Sequence, residues 1–281
     1  MSNIIDGKKV SLELSCELTK KINKLDKKLK LVVVSVGDDP ASKVYVSQKE
    51  KKAHAVGYDF LNLHFDSIEE NDLIEEIKKL NKDETVTGVI VQLPLPSYLN
   101  KDKILNTVSP LKDVDGLTND NFLKLIKKEK SLLPCTPRGV ISLLDYYNIS
   151  YDYKNVVIVG RSELVGLPLF HLLLNKNATV TLCHSKTKNL SDYTKKADIL
   201  IVAVGKKELI TLDMIKEGAV IIDVGINRFQ DKLYGDVAAS CFKKASLMTP
   251  VPGGVGPMTV ISLMENVYLA HLLQEKNKTE N

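Results

Sequence analysis

The sequence predicts an α/β protein made of two βα lobes around a cleft, and two observations lead to this fold class. The chain has 281 residues, which suits two domains better than one because a domain averages roughly 150 residues. Apolar runs of strand length alternate with helical patterns from end to end, which is typical of parallel α/β structure. Hydrophobic residues at 44% and charged residues at 26% match an ordinary globular protein.

The first lobe begins with a strand in "KLVVVSVG" that ends at Gly37. The next stretch predicts a helix with Asp39 as its N-cap, Pro40 at its first position and Gly57 as its stop. A second strand, a second helix and a third strand follow in "YDFLNLHF", "SIEENDLIEEIKKLN" and "VTGVIVQL". A helix opened by Thr136 then leads into the second lobe.

The second lobe repeats the alternation of strands and helices. Strands are predicted in "NVVIVG", "ATVTLCH", "ADILIVAVG" and "GAVIIDVG", with a helix in "LPLFHLLLN" after the first of them. The chain closes with a strand, a glycine loop and a long helix. We place the first lobe at residues 1–135, completed by the C-terminal helix 258–281, and the second lobe at residues 136–257.

The second lobe carries a glycine pattern, "VVIVGRSELVGLP", between a strand and a helix. Gly160 at the strand end and Gly166 before the helix allow a sharp turn, and a pyrophosphate there would meet the helix N-terminus. The pattern therefore favours a Rossmann-type doubly wound, mostly parallel sheet that binds a dinucleotide. A plain strand–turn–helix is the alternative.

The next strand indicates which dinucleotide is bound. An NAD site usually has an acid about 20 residues further on, whereas "CHSKTK" has no carboxylate there. Arg161 on the glycine turn and the hydroxyl of Ser185 would instead hold a 2′-phosphate, so the sequence favours NADP over NAD. The alternative is that this segment is a solvated turn.

In the first lobe, four side chains fall on one helix face: Ser42, Tyr45, Lys49 and Lys52. Tyr45 and Lys49 have the spacing of the catalytic tyrosine–lysine pair of short-chain dehydrogenases. In those enzymes the glycine motif precedes the pair, whereas in this sequence it follows the pair. Gln92 ends an apolar run, at the strand end where ligands bind open α/β sheets. Asp115 precedes a glycine turn. Each residue also has a purely structural alternative: Lys49 could be solvated, Gln92 could be hydrogen-bonded to the backbone, and Asp115 could simply form the turn.

Together these stretches resemble the bifunctional methylenetetrahydrofolate dehydrogenase/methenyltetrahydrofolate cyclohydrolase family. The resemblance runs in order from about residue 35 to residue 262. The matching strings are "SKVYVSQK", "VQLPLP", "KDVDG", "PCTPRGV", "VVIVGRSELVGLP", "TLCHSKT", "VIIDVGIN", "GDV" and "TPVPGGVGPMT". It implies oxidation of 5,10-methylenetetrahydrofolate with NADP+, hydrolysis of the methenyl product to 10-formyltetrahydrofolate, and a place in one-carbon metabolism and purine biosynthesis.

The resemblance also implies roles for individual residues. The implied catalytic residues are Lys49, Tyr45, Gln92 and Asp115, with Lys49 positioned by Gln92. The implied substrate contacts are Tyr45, Ser42, Asp115, Pro252, Gly253 and Gly254. The implied cofactor contacts are Gly160, Arg161, Ser162, Gly166, Ser185, Thr136 and Ile226. A homodimer through the cofactor lobes is a further implication.

The chemistry asks for a neutral amine on Lys49. A charged ammonium would repel the methenyl cation and could not accept a proton from the attacking water. We expect desolvation and the like charge of Lys52, one turn away, to favour the neutral form, and Asp115 to oppose it if it approaches.

Composition argues against other classes of function. The net charge of +4 is scattered, so we expect no nucleic-acid partner, and no apolar run approaches ~18 residues, so we expect no membrane partner. Four separated cysteines, no signal peptide and no ligand spacing among the histidines predict a cytoplasmic protein without a metal site. Two rivals stay open: a monofunctional NAD-dependent dehydrogenase of the same fold, and a non-catalytic NADPH sensor.

Overall fold

The computed structural model describes residues 3–230 and 232–280. The chain divides into two compact units. Unit A comprises Glu13–Cys135 and Val260–Asn281, and unit B comprises Met1–Leu12 and Thr136–Thr259. Both units are α/β, so the predicted fold class is confirmed. Within the described part of the chain, no helix combines the length and apolarity needed to cross a lipid bilayer.

The described elements follow the predicted alternation. The α-helices are α1 Gly7–Ile22, α2 Pro40–Val56, α3 Glu70–Lys82, α4 Lys101–Leu105, α5 Asn119–Ile126, α6 Cys135–Tyr146, α7 Gly166–Asn175, α8 Leu190–Thr194 and α9 Val255–Glu280. The strands are β1 Lys30–Val36, β2 Asp59–Phe65, β3 Gly88–Val91, β4 Asn155–Val159, β5 Thr179–Cys183, β6 Ile199–Val202, β7 Val220–Asp223, β8 Asn227–Phe229, β9 Lys232–Tyr234 and β10 Leu247–Met248. Among these, α1, α4, α5, α8 and the β8–β9 hairpin have no counterpart in the sequence prediction.

Unit A is built on a parallel sheet in the order β2-β1-β3. The side chains of β1 and β3 are almost all buried, as expected for strands covered on both faces. β1 is the central strand, with β2 on one side and β3 on the other. The chain therefore leaves β1 in one direction to form β2 and returns to the opposite side of β1 to form β3. Ligands bind parallel α/β sheets at the carboxyl ends of the strands at such a reversal.

Helix α2 begins and ends where the sequence predicts. The Asp39 carboxylate accepts a hydrogen bond from Ser42 N at 2.7 Å, and Pro40 occupies the first helical position. Gly57 ends the helix with φ of 100°, a left-handed conformation that glycine adopts without strain. Both limits of α2 are therefore set by local sequence.

Helix α9 completes the core of unit A from the far end of the chain. The Tyr58 hydroxyl donates to Met264 O at 2.8 Å, and both residues are buried. The side-chain amide of Asn266 donates to Val114 O at 2.9 Å and to Leu133 O at 2.7 Å. The side chain of Asn266 on α9 thus supplies a donor to two backbone carbonyls of the rest of unit A.

Unit B is built on a parallel sheet in the order β10-β7-β6-β4-β5. Its first strand, β4, lies between β5 and β6, which is the reversal typical of a doubly wound Rossmann-type sheet. The N-terminal segment extends the sheet at β10, where Ile5 N donates to Met248 O at 2.9 Å and Ile4 forms a parallel bridge with Met248.

We predict that Tyr58→Phe lowers the free energy of unfolding by about 1 kcal/mol, because it removes a buried hydrogen bond to Met264 O. Tyr153→Phe is the matched control: Tyr153 is 99% exposed, and its substitution should change stability by less than about 0.5 kcal/mol. Urea denaturation of both variants measures the difference. Equal midpoints for the two variants would contradict the structural role given to the Tyr58 hydroxyl.

Candidate active site

Lys49 and Gln92 meet at the carboxyl edge of the unit A sheet. Gln92 follows the last residue of β3, is buried, and is fixed by a bond from its backbone N to Val34 O at 2.8 Å. Lys49 lies on α2 and donates from Nζ to Gln92 Oε1 at 2.9 Å. The contact that the family resemblance implied between these two side chains is present as a hydrogen bond, while the catalytic role of Lys49 stays a prediction.

Tyr45 lies one turn before Lys49 on α2 and is 48% exposed, so a face of its ring is open to a ligand. Ser42 is engaged differently: its Oγ donates to Asp39 Oδ2 at 2.8 Å in the first turn of the helix. The hydroxyl therefore supports the helix cap. A contact of Ser42 with substrate stays a prediction.

Lys52 lies on the same helix, three residues after Lys49, and is half-buried. Burial lowers the pKa of the Lys52 amine, since desolvation disfavours the charged form.

The two aspartates of "KDVDG" have different surroundings. Asp113 is buried and accepts hydrogen bonds from Leu117 N at 3.1 Å, Thr118 N at 2.8 Å and Asn121 Nδ2 at 2.9 Å. Burial raises the pKa of Asp113, and these hydrogen bonds oppose the rise. Asp113 thus shapes the turn, whereas Asp115 is half-buried within it. Of the two acids, Asp115 is the one accessible to a ligand.

The glycine turn of unit B joins β4 to α7. Gly160 has φ of 121°, and a Cβ at this position would collide with Ala203 O. A Cβ at Gly166 would collide with Gly160 O. The backbone is thus drawn in tightly at both glycines, while Arg161 and Ser162 between them are exposed. A tight glycine turn that leads into a helix is the arrangement that binds phosphate groups at helix N-termini.

The segment after β5 forms a compact turn. His184 N donates to Thr187 Oγ1 at 2.9 Å, and Thr187 N donates back to His184 O at 2.8 Å. Ser185 is held within this turn and is exposed. Since β5 and β4 are parallel neighbours, Ser185 and Arg161 follow strand ends at the same edge of the sheet. An arginine and a hydroxyl at this edge fit a 2′-phosphate.

The "PVPGG" loop precedes α9 in unit B. Gly253 has φ of 109° and its carbonyl accepts a hydrogen bond from Lys8 N at 3.1 Å. Pro252 beside it is exposed. Thr136, at the start of α6, has its Oγ1 3.0 Å from Thr259 Oγ1. These residues are thus ordered by contacts within unit B, and their contacts with ligand stay predictions.

Two buried acids, Asp223 and Asp236, lie on either side of Ile226 in the sequence. The motifs "VIIDVGIN" and "GDV" contain them, but sequence reasoning assigned no role to either acid. Burial raises the pKa of Asp223 to about 6, although hydrogen bonds from backbone N–H groups to this carboxylate act to lower the pKa. Ile226 itself is 52% exposed, although it is apolar.

The described residues also include one cluster with metal-type ligands that sequence spacing did not reveal. Asp38, His64 and Asp66, at the ends of β1 and β2, bring one ligand atom each within 4.8 Å of one another. All three residues are exposed. Asp38 pairs with Lys43 Nζ at 2.7 Å, which lowers the pKa of the carboxyl and supplies a cation to the cluster. We therefore assign it no metal.

The two units define an α/β enzyme with a Rossmann-type nucleotide-binding unit and a second unit that presents a lysine–glutamine pair. Comparison with known families specifies this class. Residues 5–115 match the tetrahydrofolate dehydrogenase/cyclohydrolase catalytic domain, and residues 134–275 match the NAD(P)-binding domain of the same family. The chain belongs to the tetrahydrofolate dehydrogenase/cyclohydrolase family.

Individual relatives agree with this assignment. The chain is 48% identical to a bifunctional protein FolD of Wolbachia pipientis over 98% of this chain and 97% of the relative. It resembles the crystal structure of the bifunctional FolD methylenetetrahydrofolate dehydrogenase/cyclohydrolase of Campylobacter jejuni, with a TM-score of 0.95, 44% identity, and coverage of 96% and 99%. The Trypanosoma brucei enzyme, solved with NADP cofactor and inhibitor, gives a TM-score of 0.92 at 33% identity over 96% of this chain and 97% of that one.

The raised pKa of Asp223 predicts a pH-dependent stability. The folded chain holds a proton on this carboxyl up to about pH 6, whereas the unfolded carboxyl releases it near 3.8. The folded state therefore binds more protons between about pH 4 and 6, and the contribution of Asp223 to the free energy of unfolding falls as pH rises through this window.

Urea denaturation from pH 4 to 7 tests this with Asp223→Asn, which cannot titrate. The difference in free energy of unfolding should favour the native Asp most at pH 4 and least at pH 7. Asp198→Asn is the control, because Lys216 lowers the pKa of Asp198 below its ordinary 3.8 and its difference should stay flat over this range. A flat difference for Asp223→Asn would contradict the prediction.

Proposed function

We propose that this chain oxidises 5,10-methylenetetrahydrofolate with NADP+ and hydrolyses the methenyl product to 10-formyltetrahydrofolate. Membership of the family supports the pair of activities. The observation that carries the hydrolytic half is the 2.9 Å hydrogen bond between Lys49 Nζ and Gln92 Oε1 at the carboxyl edge of a parallel sheet. A solvated lysine would not need a buried amide to orient it.

In this proposal, folate binding involves one exposed side chain of unit A, Tyr45, and one half-buried side chain, Asp115. Tyr45 offers an aromatic face to the flat rings of the substrate, and Asp115 offers carboxylate oxygens to the N–H groups of the pterin. Asp113 supports Asp115 by accepting the backbone N–H groups of the same turn. Ser42, Pro252, Gly253 and Gly254 are further proposed substrate contacts.

Cofactor binding falls to unit B. The turn from Gly160 to Gly166, including Ser162, would hold the pyrophosphate, and Arg161 with Ser185 would hold the 2′-phosphate. Thr136 and Ile226 are the proposed contacts near the nicotinamide. An exposed arginine and no carboxylate on the turn after β5 favour NADP over NAD, and this is the feature that argues against a monofunctional NAD-dependent enzyme.

The first reaction depends on alignment. NADP+ supplies the hydride acceptor when bound. A ring nitrogen of the folate donates its lone pair as hydride leaves the bridging carbon, so no side chain has to add or remove a proton at that step. Tyr45 fixes the folate rings by stacking, and Asp115 fixes the pterin by hydrogen bonding.

The second reaction needs a base. Water attacks the methenyl carbon, and Lys49 in its neutral form accepts the proton that the water loses. Ring opening then breaks one carbon–nitrogen bond, and Lys49 returns the proton to the departing nitrogen. Gln92 Oε1 orients the amine throughout, because both NH2 and NH3+ can donate to an amide oxygen.

We further propose a cytoplasmic homodimer that assembles through unit B. The β8–β9 hairpin supports this with two exposed apolar side chains, Phe229 at 52% and Leu233 at 37%. Free cysteines support a reducing compartment. Sedimentation velocity distinguishes a dimer from a monomer, and Leu233→Asp should shift the distribution toward the monomer.

Lys49→Met should abolish cyclohydrolase activity while a route to the methenyl product survives, because only hydrolysis requires the amine. Lys51→Met, at an exposed position on the same helix, is the matched control and should leave both rates near the wild-type values. Absorbance of the methenyl product follows its formation and decay in one cuvette. Retention of both activities in Lys49→Met would rule out the assignment.

Arg161→Ala should raise the KM for NADP+ at least about tenfold, because it removes the hydrogen bond between the charged guanidinium and the charged 2′-phosphate. The KM for NAD+, which has no 2′-phosphate, should change by less than about twofold. Steady-state rates of the same preparation with each nucleotide give both values. A parallel rise in the two KM values would refute the 2′-phosphate contact and favour the NAD-dependent rival.

A further inference from the structure

Two carboxylates in unit B are buried without a part in the chemistry described above. Asp223 is the last residue of β7, and Asp236 follows the β8–β9 hairpin. Their exposed fractions are 2% and 0%. Removing a carboxylate from water is costly unless hydrogen bonds replace the lost solvent. Their partners therefore indicate which parts of the unit they organise.

Asp236 holds the loop that follows β6. Three successive backbone groups donate to it: Val204 N at 2.7 Å, Gly205 N at 3.0 Å and Lys206 N at 2.8 Å. Consecutive N–H groups that converge in this way form a nest for an anion, and here the anion is the side chain of Asp236. A fourth donor is Asn227 Nδ2 at 2.9 Å.

Asp223 holds the segment after β7. Its Oδ1 accepts from Gly225 N at 3.0 Å and from Asp236 N at 3.0 Å, so the two acids belong to one network. Ile226 lies between Gly225 and Asn227, and each of these neighbours is bonded to one of the buried carboxylates. The exposed apolar side chain of Ile226 thus lies between a backbone N–H that is bonded to Asp223 and a side-chain amide that is bonded to Asp236.

The packing leaves the two acids little freedom to shift. A Cβ at Gly225 would collide with the carboxyl group of Asp236, and a Cβ at Gly235 would collide with Oδ2 of Asp223. The carboxylates therefore lie directly against the backbone that they bind. Any loss of their acceptor atoms must be taken up by the loops.

We propose that Asp223 and Asp236 are positioning residues that hold Ile226 in place for the nicotinamide end of NADP. The proposal rests on the proposed function, since it concerns the same cofactor. Neither acid touches the ligand; they act through Gly225 and Asn227. A segment that is already ordered loses less freedom on binding, so the apolar contact that it carries contributes more to affinity.

A general structural role would weaken binding of every part of the nucleotide alike, whereas the proposed role would weaken binding of the nicotinamide end alone. The test measures which of these occurs. Two probes are titrated calorimetrically: NADP+, and adenosine 2′,5′-bisphosphate, which lacks the nicotinamide. Asp236→Asn replaces an acceptor oxygen with an NH2 group that faces N–H donors. It should raise the dissociation constant for NADP+ about tenfold, the order expected for lost hydrogen bonds to a charged group. The constant for the bisphosphate should change less than about twofold.

Asp198→Asn is the matched control. Asp198 caps the opposite edge of the same sheet by accepting from Asn155 N at 2.8 Å, so its substitution should leave both constants near their wild-type values. Asn227→Ala is the second variant, for use if Asp236→Asn does not fold. It removes one donor to Asp236 at a half-buried position and should weaken NADP+ selectively by a smaller factor.

Equal weakening of both probes, or no weakening of either, would overturn the positioning role. Turnover of methylenetetrahydrofolate by the wild-type chain tests the proposed function separately. The ratio of dissociation constants needs no turnover, so a wild type that binds NADP+ without oxidising the folate would refute the proposed function and still allow the positioning role to be judged.

Discussion

The start of helix α2 controls the position of Lys49. Asp39 caps the helix, and its first residue, Pro40, fixes the backbone from which Tyr45 and Lys49 project. Displacing that start by one residue would rotate every side chain by about 100° around the helix axis. The amine would then turn away from Gln92, whose own position is fixed by its bond to Val34 O. A side-chain cap at one end of a helix thus determines whether a reactive group reaches the edge of the sheet.

The amine of Lys49 is bonded to an amide, the side chain of Gln92. Buried acids in the chain have a different kind of partner. Gln92 carries no charge, so it orients Lys49 without the electrostatic stabilisation that a carboxylate would give the ammonium. The buried acids, Asp113 in unit A and Asp223 and Asp236 in unit B, are bonded to backbone N–H groups and to amides of asparagine. The buried acids therefore stabilise loop conformations, and the side chains proposed to bind ligands are accessible ones.

Local signals explain why much of the fold could be predicted from the sequence. Asp39, Pro40 and Gly57 are all within the element whose limits they set, and the apolar runs of the parallel strands needed no partner to be recognised. The pairing of Ile5 with Met248 could not be predicted in this way, because its two sides are distant in sequence. The same reason hides the nest around Asp236, whose donors come from two separate segments. Of the site, Lys49 and Gln92 were predicted through the family resemblance, since spacing alone left both with ordinary structural alternatives.

Helix α9 has a consequence for how the protein is made. The core of unit A requires Met264 and Asn266, which the ribosome adds long after Cys135. The residues of Glu13–Cys135 therefore emerge long before the segment that covers them. A chain synthesised from its N-terminus usually folds in that order. Here the earlier segment of unit A has to wait, so its apolar surface stays available to chaperones until helix α9 has been synthesised.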